Sequence, residues 1–186
     1  MYIGSTGDGI GLHNMVFEVV GNAVNEALDG HADLIEIALN AGGSVTVSDN
    51  GRGIPVNVDE NEWLSVAELI VTQLYAGVKF GQNSHVMPGG LHGVGLYVVN
   101  ALSEMLELRI WRDDAEWFMR FRHGIAEAGL DRIGHANGRT GTEITFKPSP
   151  QIFANTDFDF AIIERRAAEL ASLGSGFRIQ LSDNRV

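Results

Sequence analysis

The chain has 186 residues, enough for one domain with a substantial core. Thirteen Lys and Arg stand against 24 Asp and Glu, a formal net charge of −11. That balance excludes a surface that wraps nucleic acid on its own, because phosphate contacts need clustered cations. There are no cysteines, hence no disulfide framework and no thiolate metal site, which suits a reducing cytoplasm. No apolar run approaches the ~20 residues that cross a bilayer. The opening MYIGSTGDG lacks the basic and apolar segments of a signal peptide.

Residues 4–11 are Gly-rich and read as a loop. A helix is expected over about 12–29, with Gly30 as its stop. Within it, EVVGNAVNEALDG (18–30) places Val19, Val20, Ala23, Val24, Ala27 and Leu28 on one side. Glu18, Asn22, Asn25, Glu26 and Asp29 fall on the other. Taken alone, that stripe is the wet face of an amphipathic helix. Gly21 in mid-helix resists this reading, since it costs about 0.5–1 kcal/mol relative to Ala.

LIEIAL (34–39) and SVTVSD (44–49) flank the AGG turn and predict a hairpin. NGRGIP (50–55) is loop chemistry. LSVAELIVTQLY (64–75) has helical spacing, with Ser65 as N-cap and Glu68 three residues on. Residues 76–93 hold five glycines and a proline and read as a long mobile loop. A helix follows over 94–104. LELRIWR (106–112) and EWFMRFRHG (116–124) form a second hairpin around Asp113–Asp114. GTEITFKP (141–148) is a strand ended by Pro148, 159–172 a charged helix, and FRIQLSD (177–183) a last strand. The order predicts an α/β two-layer sandwich, a mixed and mostly antiparallel sheet with helices on one face.

Two further clusters bear on chemistry. In SDNGRGIP (48–55) an Asp ends an apolar strand, and glycines stand two and four residues later. A tight turn explains DNG. The second glycine and the proline suit a backbone passing flat under a ligand, and the lone carboxylate suits an exocyclic amine. In GGLHGVGLYVVNALS (89–103), Gly90, Gly93 and Gly95 run into an apolar helix. Glycine amides at a helix start offer free N–H groups and the dipole to an anion. The cluster follows a long loop, which distinguishes it from a Rossmann fingerprint, and no Gly-Lys-Ser/Thr makes it a P-loop.

The three clusters in this order resemble the Bergerat (GHKL) ATP-binding fold. Within that superfamily, MYIG (1–4), GLHNMVFEVV (11–20), NEALDGH (25–31), DNGRGIP (49–55), GGLHGVGLYVVNALS (89–103) and TGT (140–142) are similar to the ATPase subunit of bacterial type II topoisomerases. The pattern is nearer the gyrase B branch than the topoisomerase IV branch. The resemblance implies ATP and Mg²⁺ as ligands and ATP hydrolysis coupled to DNA strand passage. It makes Glu18 the general base and Asn22 the Mg²⁺ ligand. Asp49 would accept the adenine amino group, with Gly53 giving the base room and Thr142 a second polar partner through water. Leu91, His92, Gly93, Val94 and Gly95 would offer N–H groups to the phosphates, and Lys79 would neutralise them. Arg52 would pair with Glu26. Arg112, Ile54 and Pro55 would form the rim where coumarin inhibitors bind. On this reading the helix stripe faces a nucleotide rather than bulk water.

The chain departs from the family pattern at Gly21 and Asn25, where Asp is usual, and at Val78, His85, Val86, Leu96 and Tyr97. These leave open a second reading, a nucleotide-binding module of this fold that no longer hydrolyses; the retained Glu18 argues for hydrolysis. The resemblance further implies a single ATP-binding domain, a fragment whose N-terminal arm would precede Met1 and whose transducer would follow Val186. The gyrase A subunit and DNA would be engaged through the full-length protein, and a homodimer would form only in the full subunit.

Overall fold

The structure is a computed structural model that describes residues 2–74 and 95–185. Helix α1 spans Ile10–Leu28, followed by strands β1 (Leu34–Asn40) and β2 (Val45–Asp49) and helix α2 (Val66–Thr72). Helix α3 (Gly95–Ala101) leads into β3 (Ser103–Arg112), β4 (Ala115–Arg122), β5 (Ile125–Ala126), β6 (Asp131–His135) and β7 (Gly141–Pro148). Helix α4 (Phe160–Ala171) and strand β8 (Arg178–Asn184) complete the chain. One eight-stranded sheet runs β5-β4-β3-β7-β2-β1-β8, with β6 also on β4. Every pairing is antiparallel except β1 with β8, which is parallel.

Strand alternation sorts the residues into two faces. Register on the inner face builds three rows across β1, β2, β7, β3 and β4. Leu39, Val45, Phe146, Leu106 and Phe121 form the first; Ile37, Val47, Ile144, Leu108 and Met119 the second. All ten are at most 3% exposed. The third row starts with Ile35 and ends with Ile110 and Trp117, but its middle pair is Asp49 opposite Thr142. Helices α1, α3 and α4 pack on this face and α2 packs on α3. The outer face carries ion pairs such as Arg120–Glu107 and Arg109–Glu116, part-exposed and worth little individually.

Helix α1 starts two residues before its sequence-based boundary. Gly9 takes a left-handed conformation ahead of it. His13 explains the early start: its Nδ1–H donates to the Gly9 carbonyl, and its Nε2 accepts the Asp159 N–H, both at 2.8 Å. A backbone N–H can only donate, which fixes the ring tautomer. Asp159 in turn caps α4 by accepting from the Ala161 and Ile162 N–H groups. The expected Ser65 cap is formed, with its Oγ accepting the Glu68 N–H. Asp113 and Asp114 both have positive φ (54° and 56°), as a two-residue hairpin turn requires. Helix α3 ends at Ala101 rather than 104; the Ser103 Oγ donates to the Val99 carbonyl as the chain turns into β3. Strands β5 and β6 were not expected. The mobile loop expected over 76–93 lies outside the described residues.

The first row predicts a cost. Phe146 is fully buried, paired with Val45 and Leu106 and edge-on to Phe158. Phe146→Ala should destabilise the chain by about 3–5 kcal/mol, read from urea unfolding midpoints. A loss under about 1 kcal/mol would place the core elsewhere.

Candidate functional site

Asp49 is the last residue of β2 and is 8% exposed on the inner face. Its Oδ1 accepts the Gly51 N–H at 2.9 Å. Burial pushes its carboxyl up to about 7; the Gly51 and Thr142 amides oppose the rise, and the nearby Glu26 charge adds to it. Gly53 has φ +79°, and a Cβ there would lie 2.8 Å from the Trp111 carbonyl oxygen and 3.1 Å from that of Gly141. Gly141, at φ +132°, packs so tightly on the Asp49 carbonyl that any Cβ would collide with it. Glycine is therefore required at both positions by conformation and by space. The Thr142 Oγ1 accepts the Ile54 N–H at 3.1 Å, and the Arg112 Nη1 donates to the Gly53 carbonyl at 2.6 Å. Ile54 is buried, and Pro55 is partly exposed beside it.

Helix α1 crosses this floor. Glu26 accepts three hydrogen bonds from Arg52: the backbone N–H and Nε–H to Oε1 at 2.9 Å, and Nη2 to Oε2 at 3.1 Å. Burial raises the Glu26 carboxyl, but the Arg52 bonds and charge outweigh it and hold it below the ordinary range. Two turns earlier, Glu18 lies half-buried and its carboxyl is pushed up by burial, against the pull of a hydrogen bond from the Tyr2 hydroxyl at 3.2 Å. Tyr2 is itself pushed up to about 12 by burial and by the Glu18 charge. The Glu18 Oε2 is buried without a hydrogen-bond partner among the described residues, and it lies against Gly95, where a Cβ would overlap it. Asn22 sits between Glu18 and Glu26 on the helix, partly buried.

The structure thus brings Glu18, Asn22, Glu26, Asp49, Arg52, Gly53, Ile54, Pro55, Gly95, Arg112 and Thr142 into one region between α1, the end of β2 and the start of β7. Lys79, Leu91, His92, Gly93 and Val94 lie outside the described residues. Sequence reasoning missed Tyr2, which sits in a loop with no periodic pattern, and assigned Gly95 only an N–H role. Among the described residues, no three His, Asp or Glu side chains converge as a cation cage.

A residue-level match to a family model covers residues 7–152, and the chain belongs to that family, the histidine kinase-, DNA gyrase B-, and HSP90-like ATPases. Among similar proteins, the DNA gyrase B subunit of Rickettsia bellii (strain RML369-C) is 59% identical over 185 residues. Its counterpart in Caulobacter vibrioides (strain NA1000 / CB15N) is 53% identical over 195, and that in Haloferax volcanii 51% over 189. Each alignment covers 100% of this chain but 23%, 24% and 29% of the relative, so the chain spans about a quarter of the relatives' length.

The raised Asp49 carboxyl has a sign that can be checked. Folded, it keeps its proton to about pH 7; unfolded, it releases it near roughly pH 4. Between those values the native state binds more protons, so this group's contribution to stability is complete below roughly pH 4 and is lost as pH rises through about 7. Asp49→Asn, neutral throughout, should gain on the unmodified chain across that window in urea midpoints. Parallel curves would show that the carboxylate ionises freely in the native state.

Proposed function

We propose that the chain is the ATP-binding and hydrolysing domain of a DNA gyrase B subunit. In the full subunit, ATP binding and hydrolysis would gate a dimer and drive DNA strand passage with the gyrase A subunit, producing negative supercoils. The observation that carries the reading is the polar break in the third inner row: a buried carboxylate at Asp49 over a floor where Gly53 and Gly141 leave no room for a side chain. Once it has given up its proton, above about pH 7 in the empty site, the Asp49 carboxylate only accepts and so selects an amino purine, and the glycine floor lets a flat base lie close. From there α1 runs to Glu18, eight residues from Glu26 or about 12 Å along the axis. That is the reach from an adenine to the end of its triphosphate.

In this reading Glu18 takes the proton of the attacking water, and its buried Oε2 is available for it. Asn22, one turn on, would hold Mg²⁺ through its side-chain oxygen. An amide oxygen is a hard donor of the kind this ion takes, with phosphates and water completing its shell. When bound, the ion would neutralise phosphate charge. Gly93, Gly95 and their neighbours would cradle the phosphates, and Lys79 would approach them. Arg112, Ile54 and Pro55 would offer the coumarin rim. The 186 residues act as one nucleotide domain, and dimerisation and efficient turnover depend on other parts of the subunit. Among the described residues no helix is long and apolar enough to cross a membrane, and we place the subunit in the cytoplasm with its DNA substrate.

Calorimetry with a non-hydrolysable ATP analogue, with and without Mg²⁺, tests the binder. Asp49→Ala should abolish binding, since it leaves a buried amine unpaired at about 1–3 kcal/mol or more. Equal ATP and GTP affinities in the unmodified chain would sink the adenine assignment. In the full-length subunit, Glu18→Ala should leave affinity nearly unchanged and cut turnover about 10²–10⁴-fold. Asn22→Ala should weaken Mg²⁺-dependent binding as well. Equal affinity losses in the two variants would make Glu18 a structural helix residue.

A further inference from the structure

The two oxygens of the Glu18 carboxylate stand in different surroundings. Oε1 accepts the Tyr2 hydroxyl, and Oε2 is buried against Gly95 with no hydrogen-bond partner among the described residues. Tyr2 is 49% exposed, yet its backbone is held. The next residue, Ile3, is 1% exposed in the core, and its carbonyl accepts from the Asn14 Nδ2 at 2.9 Å. Asn14 lies one helical turn before Glu18. The loop and the helix face are thus tied at two successive turns, first through Asn14 and Ile3, then through Glu18 and Tyr2.

We propose that Tyr2 is a positioning residue for Glu18. Its phenol fixes Oε1 and the carboxylate plane, so that Oε2, in the notch left by Gly95, is the oxygen presented to the water. The proposal rests on the reading of Glu18 as general base. In that step the water oxygen bonds to the γ-phosphorus and the bond from γ-phosphorus to the β,γ-bridging oxygen breaks. Its electron pair leaves with ADP, and the water proton goes to Oε2. A hydrogen bond from a phenol makes the carboxylate a weaker base. Its benefit is orientational: it removes rotation about the terminal bond, and reactions of this kind lose rate steeply when the reacting atoms are misplaced by an ångström.

Tyr2→Phe removes one oxygen and keeps the ring, so packing is preserved. In the full-length subunit it should lower kcat roughly 10–100-fold, with KM and analogue affinity within about twofold of the unmodified protein. Added to Glu18→Gln, it should cause no further loss, because the two residues act through one carboxylate. A Tyr2→Phe kcat within about twofold of the unmodified value overturns the proposal. So does an equal fractional loss in the Glu18→Gln background, or a rise in KM that accounts for the loss. Glu18→Gln alone is the separate control: if it turns over at the unmodified rate, the general-base reading itself has failed.

Discussion

The architecture around the site depends on one uncomfortable placement, a carboxylate on the hydrophobic face of a sheet. Asp49 occupies a row whose counterparts one and two steps along are Val47 with Ile144 and Val45 with Phe146. Burying it raises its proton affinity, and the Gly51 and Thr142 amides answer the charge from the backbone. An apolar residue there would extend the core at no such cost. The register cannot relax, because a one-residue slip would turn every inner side chain outward. The tight contacts of Gly53 and Gly141 lock the neighbouring loop to the same register. Strain and desolvation concentrated at one end of an otherwise dry sheet are what a ligand site looks like before its ligand arrives.

Helix α1 converts that fixed point into a distance. The three Arg52–Glu26 hydrogen bonds hold the helix against the loop after β2, so α1 cannot slide along the sheet. At its other end the Glu18 side chain fills the space a Cβ at Gly95 would need, which holds α3 close. His13 anchors the start of the same helix to the cap of α4. The helix that carries Glu18 is therefore tied through Glu26 to the loop that follows Asp49, and the spacing of Glu18 from that tie is set by the helical rise. A site built on a helix holds its geometry better than one assembled from loops alone.

Much of this was legible in the residues. The hairpins, the β7 strand and the polar stripe of α1 follow from periodicity and the Ser65 cap from its spacing to Glu68, and the stripe does meet two of the glycine-rich segments, at Arg52 and Gly95. The parts that escaped share a cause. Strand β6, DRIGH, is exposed at all but one position, so it carries no alternation to read. Strand β8 announces itself, but its parallel seat beside β1 is a choice of partner that no local pattern encodes. His13 looks like any residue on a helix, and its tie to Asp159 spans 146 positions. Tyr2 precedes the first element, and its role exists only once Ile3 is buried.

The departures on α1 have an electrostatic consequence. A nucleoside triphosphate brings several negative charges into a region that already holds Glu18, Glu26 and Asp49, in a chain of net charge −11. Arg52 neutralises Glu26 rather than facing a ligand alone. Asp49 relieves the region by holding its proton to about 7. Asn25, whose Oδ1 is buried with no partner among the described residues, has the shape of an aspartate without the charge. A carboxylate there would be a further buried anion on the same helix, repelled by its neighbours at the reduced dielectric of a partly buried site. Gly21 is buried one position before Asn22 and carries no charge either. The two positions therefore leave Glu18 the one carboxylate of the 18–25 stretch, and in the proposed reading they would lower the electrostatic cost of seating phosphates beside it.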